Sequence, residues 1–505
     1  MERQSLLLAK IMTTGRATRE AVRPGLLARR VMRLLHLGSA WHRIAMSIDR
    51  HQPPVHIENW SAPLVVRPSS GGSVTNPLAS LADGPKGIPV AASSVSPSSV
   101  SPSETQVDGA DPILRCLIVT PALHTGGMGE VVAFLARRLP SRGMQTAVLC
   151  TSPDAMVDGQ LTGRTALMLK SEGVEVFAAD PSRAFEWARQ WRPDVISAHG
   201  APAWAFDLAR RLGVPYIDNL HGLNGHVGRD WRWHSAAARS GAYLGVVAVS
   251  EMLRQQQLAV NPDFPPERVV TIPNGVDEER FAVRDRAAVR DWLGFTDEFL
   301  FVSLGRHCMQ KNSYGLVAAF EDVAANRPEV HLAIAGRIDE ARYYRRVLQL
   351  RDTLSCRERI HLRDHIPTPA QLLAAADAFV LDSFFEGWPL ASMEALVAGL
   401  PVIITDVSGA REQIAGEPGR GYVVSNPLGD PLRADWAASA AAQYRPQSNR
   451  EELAAAMELL VANRVDYMCN RDRLIAESAQ RFSATSWLAQ HAAVLRAASA
   501  GAALA

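Results

Sequence analysis

The amino-acid sequence predicts an α/β architecture of two doubly wound domains facing a cleft, preceded by a partly helical or disordered N-terminal extension. Three observations predict it. From Asp111 onward, short runs rich in Val, Ile and Leu alternate with longer segments of helical periodicity, the pattern of parallel strands joined by crossover helices. A turn-rich joint, Pro273-Asn274-Gly275-Val276-Asp277, divides these units into two sets. Ahead of both, the stretch from Pro53 to Ala110 loses charge and fills with Ser, Pro and Gly.

The elements follow in order. The first fifty residues carry ten Lys/Arg against Glu2, Glu20 and Asp49, and Leu27, Val31, Leu34, Trp41 and Ala45 recur at helical spacing. A basic amphipathic helix of this kind suits either peripheral contact with an anionic membrane face or plain solvation. The Ser/Pro/Gly stretch reads as a flexible linker, which makes residues 1–110 an extension. Strands of the first domain, 111–280, are expected at Ile113–Val119, Gln145–Cys150, Val174–Ala179, Asp194–Ala198, Val214–Asn219, Val246–Ser250 and Val269–Ile272. Those of the second domain, 281–480, are expected at Phe299–Leu304, Val330–Ala335, Ile360–Arg363, Ala378–Asp382, Pro401–Thr405 and Tyr422–Val424. Residues 481–505 form a final helix in which Trp487, Leu488, Val494 and Leu495 share a face, suited to crossing back onto the first domain.

Composition excludes several classes. The 505 residues are 47% apolar and 21% charged, which is globular, and a formal net charge of +1 gives no global pull toward nucleic acid. The five cysteines, Cys116, Cys150, Cys308, Cys356 and Cys469, are scattered without a CxxC spacing, so neither a disulfide framework nor a zinc site is implied, and a reducing cytoplasm fits. No window approaches the roughly 20 apolar residues that span a bilayer, and no signal peptide is evident.

Three segments could carry chemistry. The first strand runs into Pro121-Ala-Leu-His-Thr-Gly126-Gly127-Met128-Gly129 and then a helix. Such glycines let a ligand approach the backbone and leave helix N–H groups for an anion, although a tight strand-to-helix turn needs glycine in any case. In the second domain, a strand ends in Gly305-Arg306-His307-Cys308-Met309-Gln310-Lys311-Asn312. This puts Arg306 and Lys311 at the carboxyl edge of a sheet, where open α/β folds bind ligands and where fixed cations can stabilise a departing diphosphate. Standing alone, both would read as surface charges. The third segment is Asp382-Ser-Phe-Phe-Glu386-Gly387-Trp388-Pro389-Leu390-Ala-Ser-Met-Glu394, with Glu386 in a loop and Glu394 in the helix after it. One carboxylate can face a reacting sugar while the other accepts from vicinal ribose hydroxyls. Either Glu alone would be an ordinary acid near a helix N-terminus.

From about Leu114 to Leu495 the chain resembles the family 4 retaining glycosyltransferases of GT-B fold. The resemblance rests on Glu-x7-Glu at Glu386 and Glu394, on Gly-Arg-x4-Lys from Gly305 to Lys311, and on Val249-Ser250-Glu251, Ile272–Asp277 and Asp194–His199 in the same order. It implies two Rossmann-like domains, the first for the acceptor and the second for a nucleotide-sugar donor. It implies further that Arg306 and Lys311 bind the donor diphosphate, Glu394 the ribose, and Glu386 the transferred sugar near the reaction centre. His199 would face the donor sugar across the cleft, with His221 as a second cleft residue. Gly127 would line the phosphate side, and Leu390 and Ile366 would complete the donor site, Ile366 near the base. Two positions depart from the family's pattern: Pro389 stands where many relatives have glycine, and Asn312 where glycine often follows the clamp lysine.

The implied reaction is transfer of a hexosyl group with retention, free of metal or other cofactor, to a glycan or lipid-linked acceptor in polysaccharide or glycolipid biosynthesis. The departing phosphate would take the acceptor proton. Rival readings are a sugar-nucleotide epimerase or hydrolase on the same fold, and a noncatalytic glycan- or partner-binding protein. A nicotinamide dehydrogenase lacks its GxGxxG signature here.

Overall fold

The computed structural model describes residues 57–60, 62–65, 113–123, 126–152, 155–157, 160–222, 237, 239–277, 281, 285–366, 368–414, 419–434, 436–502 and 504. All belong to one compact unit, Pro53–Ala505. The expected basic helix of the first fifty residues lies outside the described residues, as does most of the expected linker. No helix among the described residues is long and apolar enough to cross a membrane.

The first domain is built on a seven-stranded sheet: β1 (Leu114–Thr120), β2 (Met144–Cys150), β3 (Glu175–Ala178), β4 (Val195–His199), β5 (Tyr216–Leu220), β6 (Tyr243–Ala248) and β7 (Val269–Thr271). Their spatial order is β3-β2-β1-β4-β5-β6-β7, and every pairing is parallel. The second sheet has six strands: β8 (Phe299–Leu304), β9 (Val330–Ala335), β10 (Ile360–Arg363), β11 (Ala378–Leu381), β12 (Val402–Thr405) and β13 (Gly421–Val424), in the order β10-β9-β8-β11-β12-β13. It too is wholly parallel. In each sheet the order reverses between the first strand and the fourth, and the gap this opens at the carboxyl ends is where doubly wound folds bind ligands.

The helices that position the site are α1 (Gly127–Arg138), α2 (Glu251–Val260), α3 (Arg286–Leu293), α4 (Ser313–Asn326), α5 (Leu390–Val397) and α6 (Ala484–Ser499). The buried strands read as continuous apolar runs because helices cover both faces. One core cluster runs without a break from Leu117 and Ala198 of the first sheet through Val276 and Trp388 to Leu300 and Val302 of the second. α6 packs back on the first domain: Trp487, Leu488, Val494 and Leu495 share a cluster with Ile118, Val132 and Phe134, and the rings of Phe134 and Trp487 stack at 4.6 Å.

Two boundaries differ instructively from expectation. β6 begins at Tyr243 and ends at Ala248, so that Ser250 caps α2 by accepting from the Leu253 amide at 3.3 Å. A Cβ on Gly245 would sit 2.3 Å from the Arg268 carbonyl just ahead of β7, so this close approach demands glycine within the strand. The linker expectation also needs correcting in part, since residues 57–60 and 62–65 are packed on the second domain. Trp60 is 5% exposed and its indole Nε1 donates to the Asp364 carbonyl at 2.9 Å. The Leu64 and Val65 amides both donate to Leu293 O, at 3.1 and 3.0 Å. A single large indole with a bonded N–H can anchor a segment whose average composition reads as loose.

Candidate functional site

The carboxyl ends of β8 and β9 each continue as Gly-Arg, Gly305-Arg306 and Gly336-Arg337. A Cβ on Gly336 would meet the Gly305 carbonyl at 1.9 Å, so the two glycines let these turns touch and bring the arginines side by side. Asp339 joins them, accepting from Arg306 Nη1 at 2.7 Å and Arg337 Nε at 2.6 Å. Lys311 folds back over Gly305, its Cδ 3.2 Å from where a Cβ would lie, and its Nζ pairs with Glu386 at 2.5 Å. The Lys311 and Glu386 side chains are only 17% and 8% exposed, so loss of either one leaves its partner a buried, uncompensated charge. Gln310 ties the same two loops together: it accepts from Arg306 Nη2 at 2.8 Å, donates to Phe385 O at 3.0 Å, and offers its own carbonyl to the Phe384 amide.

Asn312 resolves one departure from the family pattern. Its φ is 51°, the left-handed region where Asn is tolerated among non-glycine residues. Its amide donates to Asp382 Oδ2 at 2.8 Å and exchanges bonds with Gln447 at 2.7 and 2.8 Å, while Asn449 donates to the other Asp382 oxygen at 2.8 Å. Asp382 is buried below the loop, and burial pushes its carboxyl up to about 8 against the opposing effect of the two amides.

Pro389 is the N-cap of α5, and its carbonyl accepts from Ser392 Oγ at 3.0 Å and Gln413 Nε2 at 3.1 Å. The next two residues, Leu390 and Ala391, still bring their N–H groups to the helix start, and both line the cleft. Glu394 lies one turn further along the same helix and lines the cleft as well.

The first domain closes the other side. Gly127 begins α1, and a Cβ there would lie 3.5 Å from Leu390 Cδ1. Gly387 abuts the His221 carbonyl so tightly that a Cβ would approach it to 1.9 Å. His199 is fully buried behind His221: its Nδ1 lies 2.8 Å from His221 Nε2 and its Nε2 3.1 Å from Ser197 Oγ, which in turn accepts from Asn219 at 3.1 Å. Burial lowers His221 to about 4 and His199 well below its ordinary value, so both rings are neutral near pH 7. Further from the cleft the domains also meet at Ser250 Oγ and Ser408 Oγ, 2.6 Å apart, and where the Glu251 amide donates to Glu412 at 2.9 Å.

Gly127, Arg306, Lys311, Ile366, Glu386, Leu390 and Glu394 thus line one cleft of about 380 Å³. His199 does not: His221 holds the wall position that the sequence reading gave to His199. Arg337 and Asn274 also line the cleft and were missed; His365, next to Ile366, lines it too. The repeated Gly-Arg at the ends of neighbouring strands was a usable signal for Arg337. A larger hollow, about 830 Å³, lies around Arg137, Gly143 and Glu172, but it gathers no such convergence of cations, carboxylates and helix N–H groups. Among the described residues no group of three or more His, Cys, Asp or Glu side chains could hold a metal ion.

Known proteins resemble this chain in sequence and in fold. The family model "Glycosyltransferase Family 4" matches residues 125–280, and "Glycosyl transferases group 1" matches residues 285–434. A glycogen synthase of Mycobacterium tuberculosis is 29% identical over 394 residues, 67% of this chain and 90% of that protein. The Escherichia coli UDP-Gal:alpha-D-GlcNAc-diphosphoundecaprenol alpha-1,3-galactosyltransferase is 33% identical over 153 residues, 28% of this chain and 38% of that one. In fold, HepE of Anabaena, solved in complex with UDP, superposes with a TM-score of 0.61 at 17% identity, covering 76% of this chain and all 100% of that one. Two parallel Rossmann-like sheets give the chain GT-B architecture, and the two family models make it a sugar-transferring enzyme. The chain belongs to the family 4 glycosyltransferases.

Proposed function

We propose that this enzyme transfers a hexosyl group from a nucleoside diphosphate sugar to a glycan or lipid-linked acceptor, with retention of anomeric configuration and without a metal ion. The observation that carries the reading is the meeting of Arg306, Lys311 and Arg337 with Glu386, Glu394 and the start of α5 in one cleft. The three cations and the α5 amides hold the diphosphate and stabilise the charge that grows as it leaves, a role open to fixed guanidinium and ammonium groups. Glu394 accepts from the ribose hydroxyls. The C1–O bond to the diphosphate breaks and the acceptor oxygen bonds to C1 on the same face, its proton passing to the departing phosphate oxygen. Glu386, paired with Lys311, stabilises positive charge at the sugar; an ion-paired carboxylate is a poor nucleophile. Neutral His221 hydrogen-bonds the sugar from the first domain, and closure of the cleft excludes water.

The relatives support the substrate classes: HepE was solved with UDP, and the E. coli relative by its name uses a UDP-sugar and a diphosphoundecaprenol-linked acceptor. Thermal melting with UDP, GDP and ADP, each with and without the attached sugar, tests the reading. One nucleotide is expected to raise the melting temperature, and Lys311→Ala to abolish that rise. Equal protection of the variant would overturn the assignment. Product analysis by NMR then reads the anomeric outcome.

A further inference from the structure

β10 is an edge strand of the second sheet, and its outer side is not left open. Residues 57–60 run along its carboxyl end as a strap. Glu58 bridges Arg363 in parallel, the Asp364 amide donates to Glu58 O at 2.9 Å, and Trp60 Nε1 donates to Asp364 O at 2.9 Å. The Glu58 carboxylate also pairs with the Arg363 guanidinium, which is only 7% exposed. Both backbone groups of Asp364 are therefore taken by the strap. The next two residues, His365 and Ile366, line the cleft, and Ile366 is 3% exposed. The preceding residue, Arg363, offers its carbonyl to the Gly336 amide at 3.1 Å and to His307 Nε2 at 2.9 Å, so the Gly-Arg loops are anchored on the end of β10 itself and not on the strap-held turn.

We propose that the strap is a positioning element for nucleobase recognition, with Glu58 and Trp60 fixing the 364–366 turn against which the base of the nucleoside diphosphate rests. The proposal rests on the reading of this cleft as the donor site. The strap touches the turn rather than the ligand, so its loss changes the grip on the base while the cations keep their grip on the phosphates. A floppy turn must be ordered on binding, and that ordering is subtracted from affinity.

The test uses the full chain and calorimetric titration with UDP, GDP, ADP and inorganic pyrophosphate. Trp60→Ala and Glu58→Ala are expected to weaken the preferred nucleotide by about tenfold, and pyrophosphate by no more than about twofold. The donor KM should rise while kcat stays near its starting value. Lys311→Ala, in contrast, weakens nucleotide and pyrophosphate together. Trp60→Phe keeps an aromatic ring but loses the N–H donor and part of the indole's bulk, so it carries the same test with a smaller loss should the alanine variant not fold. Unchanged nucleotide affinity in these variants, or equal losses for nucleotide and pyrophosphate, overturns the strap's role. If the unmodified protein binds none of the three nucleotides, the donor-site reading falls and the proposal with it.

Discussion

Lys311 and Asn312 are neighbours in sequence with separable jobs. Lys311 meets Glu386 at the cleft wall, whereas Asn312 turns the chain and satisfies the buried Asp382. Asn312→Gly retains the backbone geometry but removes the side-chain bonds to Asp382 and Gln447, and should lower unfolding stability by about 1–3 kcal/mol. Asn312→Ala loses the same bonds and adds left-handed strain, for about 1 kcal/mol more. Urea denaturation of the two variants checks that order; an alanine variant as stable as the glycine one would show that φ at this position does not matter. Arg337 tests the shared-charge arrangement at the same scale. Its replacement by Ala should reduce kcat/KM for the donor by about tenfold or more, without the loss of the Lys311–Glu386 pair. Steady-state kinetics with varied donor reads the effect.

Among the elements, α6 shows how a helix that begins in the second domain's territory stabilises the first. The amide of Val276 donates to Phe482 O at 2.9 Å just before the helix, and a Cβ on Gly275 would lie 2.9 Å from Trp487 Cβ. Trp487→Ala removes a side chain that is 3% exposed and stacked on Phe134, so it should cost about 3–5 kcal/mol and lower the melting temperature. Differential scanning calorimetry measures it, and a shift under about 2 °C would contradict a shared core. Elements of this kind were readable from periodicity: the apolar runs of β8 and β9 and the helical face of α6 stand out because burial on both sides of a sheet, or on one side of a helix, leaves a repeating trace. Arg306, Lys311 and Glu386 were legible from their place after strand ends, and with Glu394 from the Gly-Arg-x4-Lys and Glu-x7-Glu patterns of the family the chain resembles. The choice between His199 and His221 was not legible, because both follow strands of the same sheet and only packing decides which ring lies in front. The packed segment around Trp60 escaped notice because its partners, Asp364 and Leu293, lie more than two hundred residues away, and local composition holds no record of such contacts.

For the whole molecule, acid response follows from the buried histidines. Burial lowers His221 to about 4 and His491, on α6, to about 3, both below the ordinary 6.5. The unfolded chain therefore binds protons that the folded one refuses, so the stability these rings allow is complete above about pH 6.5 and falls as pH drops toward 4 and then 3. Each ring contributes a slope of up to about 1.4 kcal/mol per pH unit in that window. His491→Phe should flatten the melting-temperature profile between pH 6.5 and 4 relative to the unmodified protein; an unchanged profile would remove His491 from the cause. The same molecule balances its cleft with acids of its own. Asp339 spans Arg306 and Arg337, and Glu386 spans to Lys311, so the empty enzyme already carries built-in counter-anions. The diphosphate of an arriving donor therefore shares these cations with Asp339 and Glu386 instead of filling a bare positive hole, and the protein's own acids keep the loops in place before it arrives.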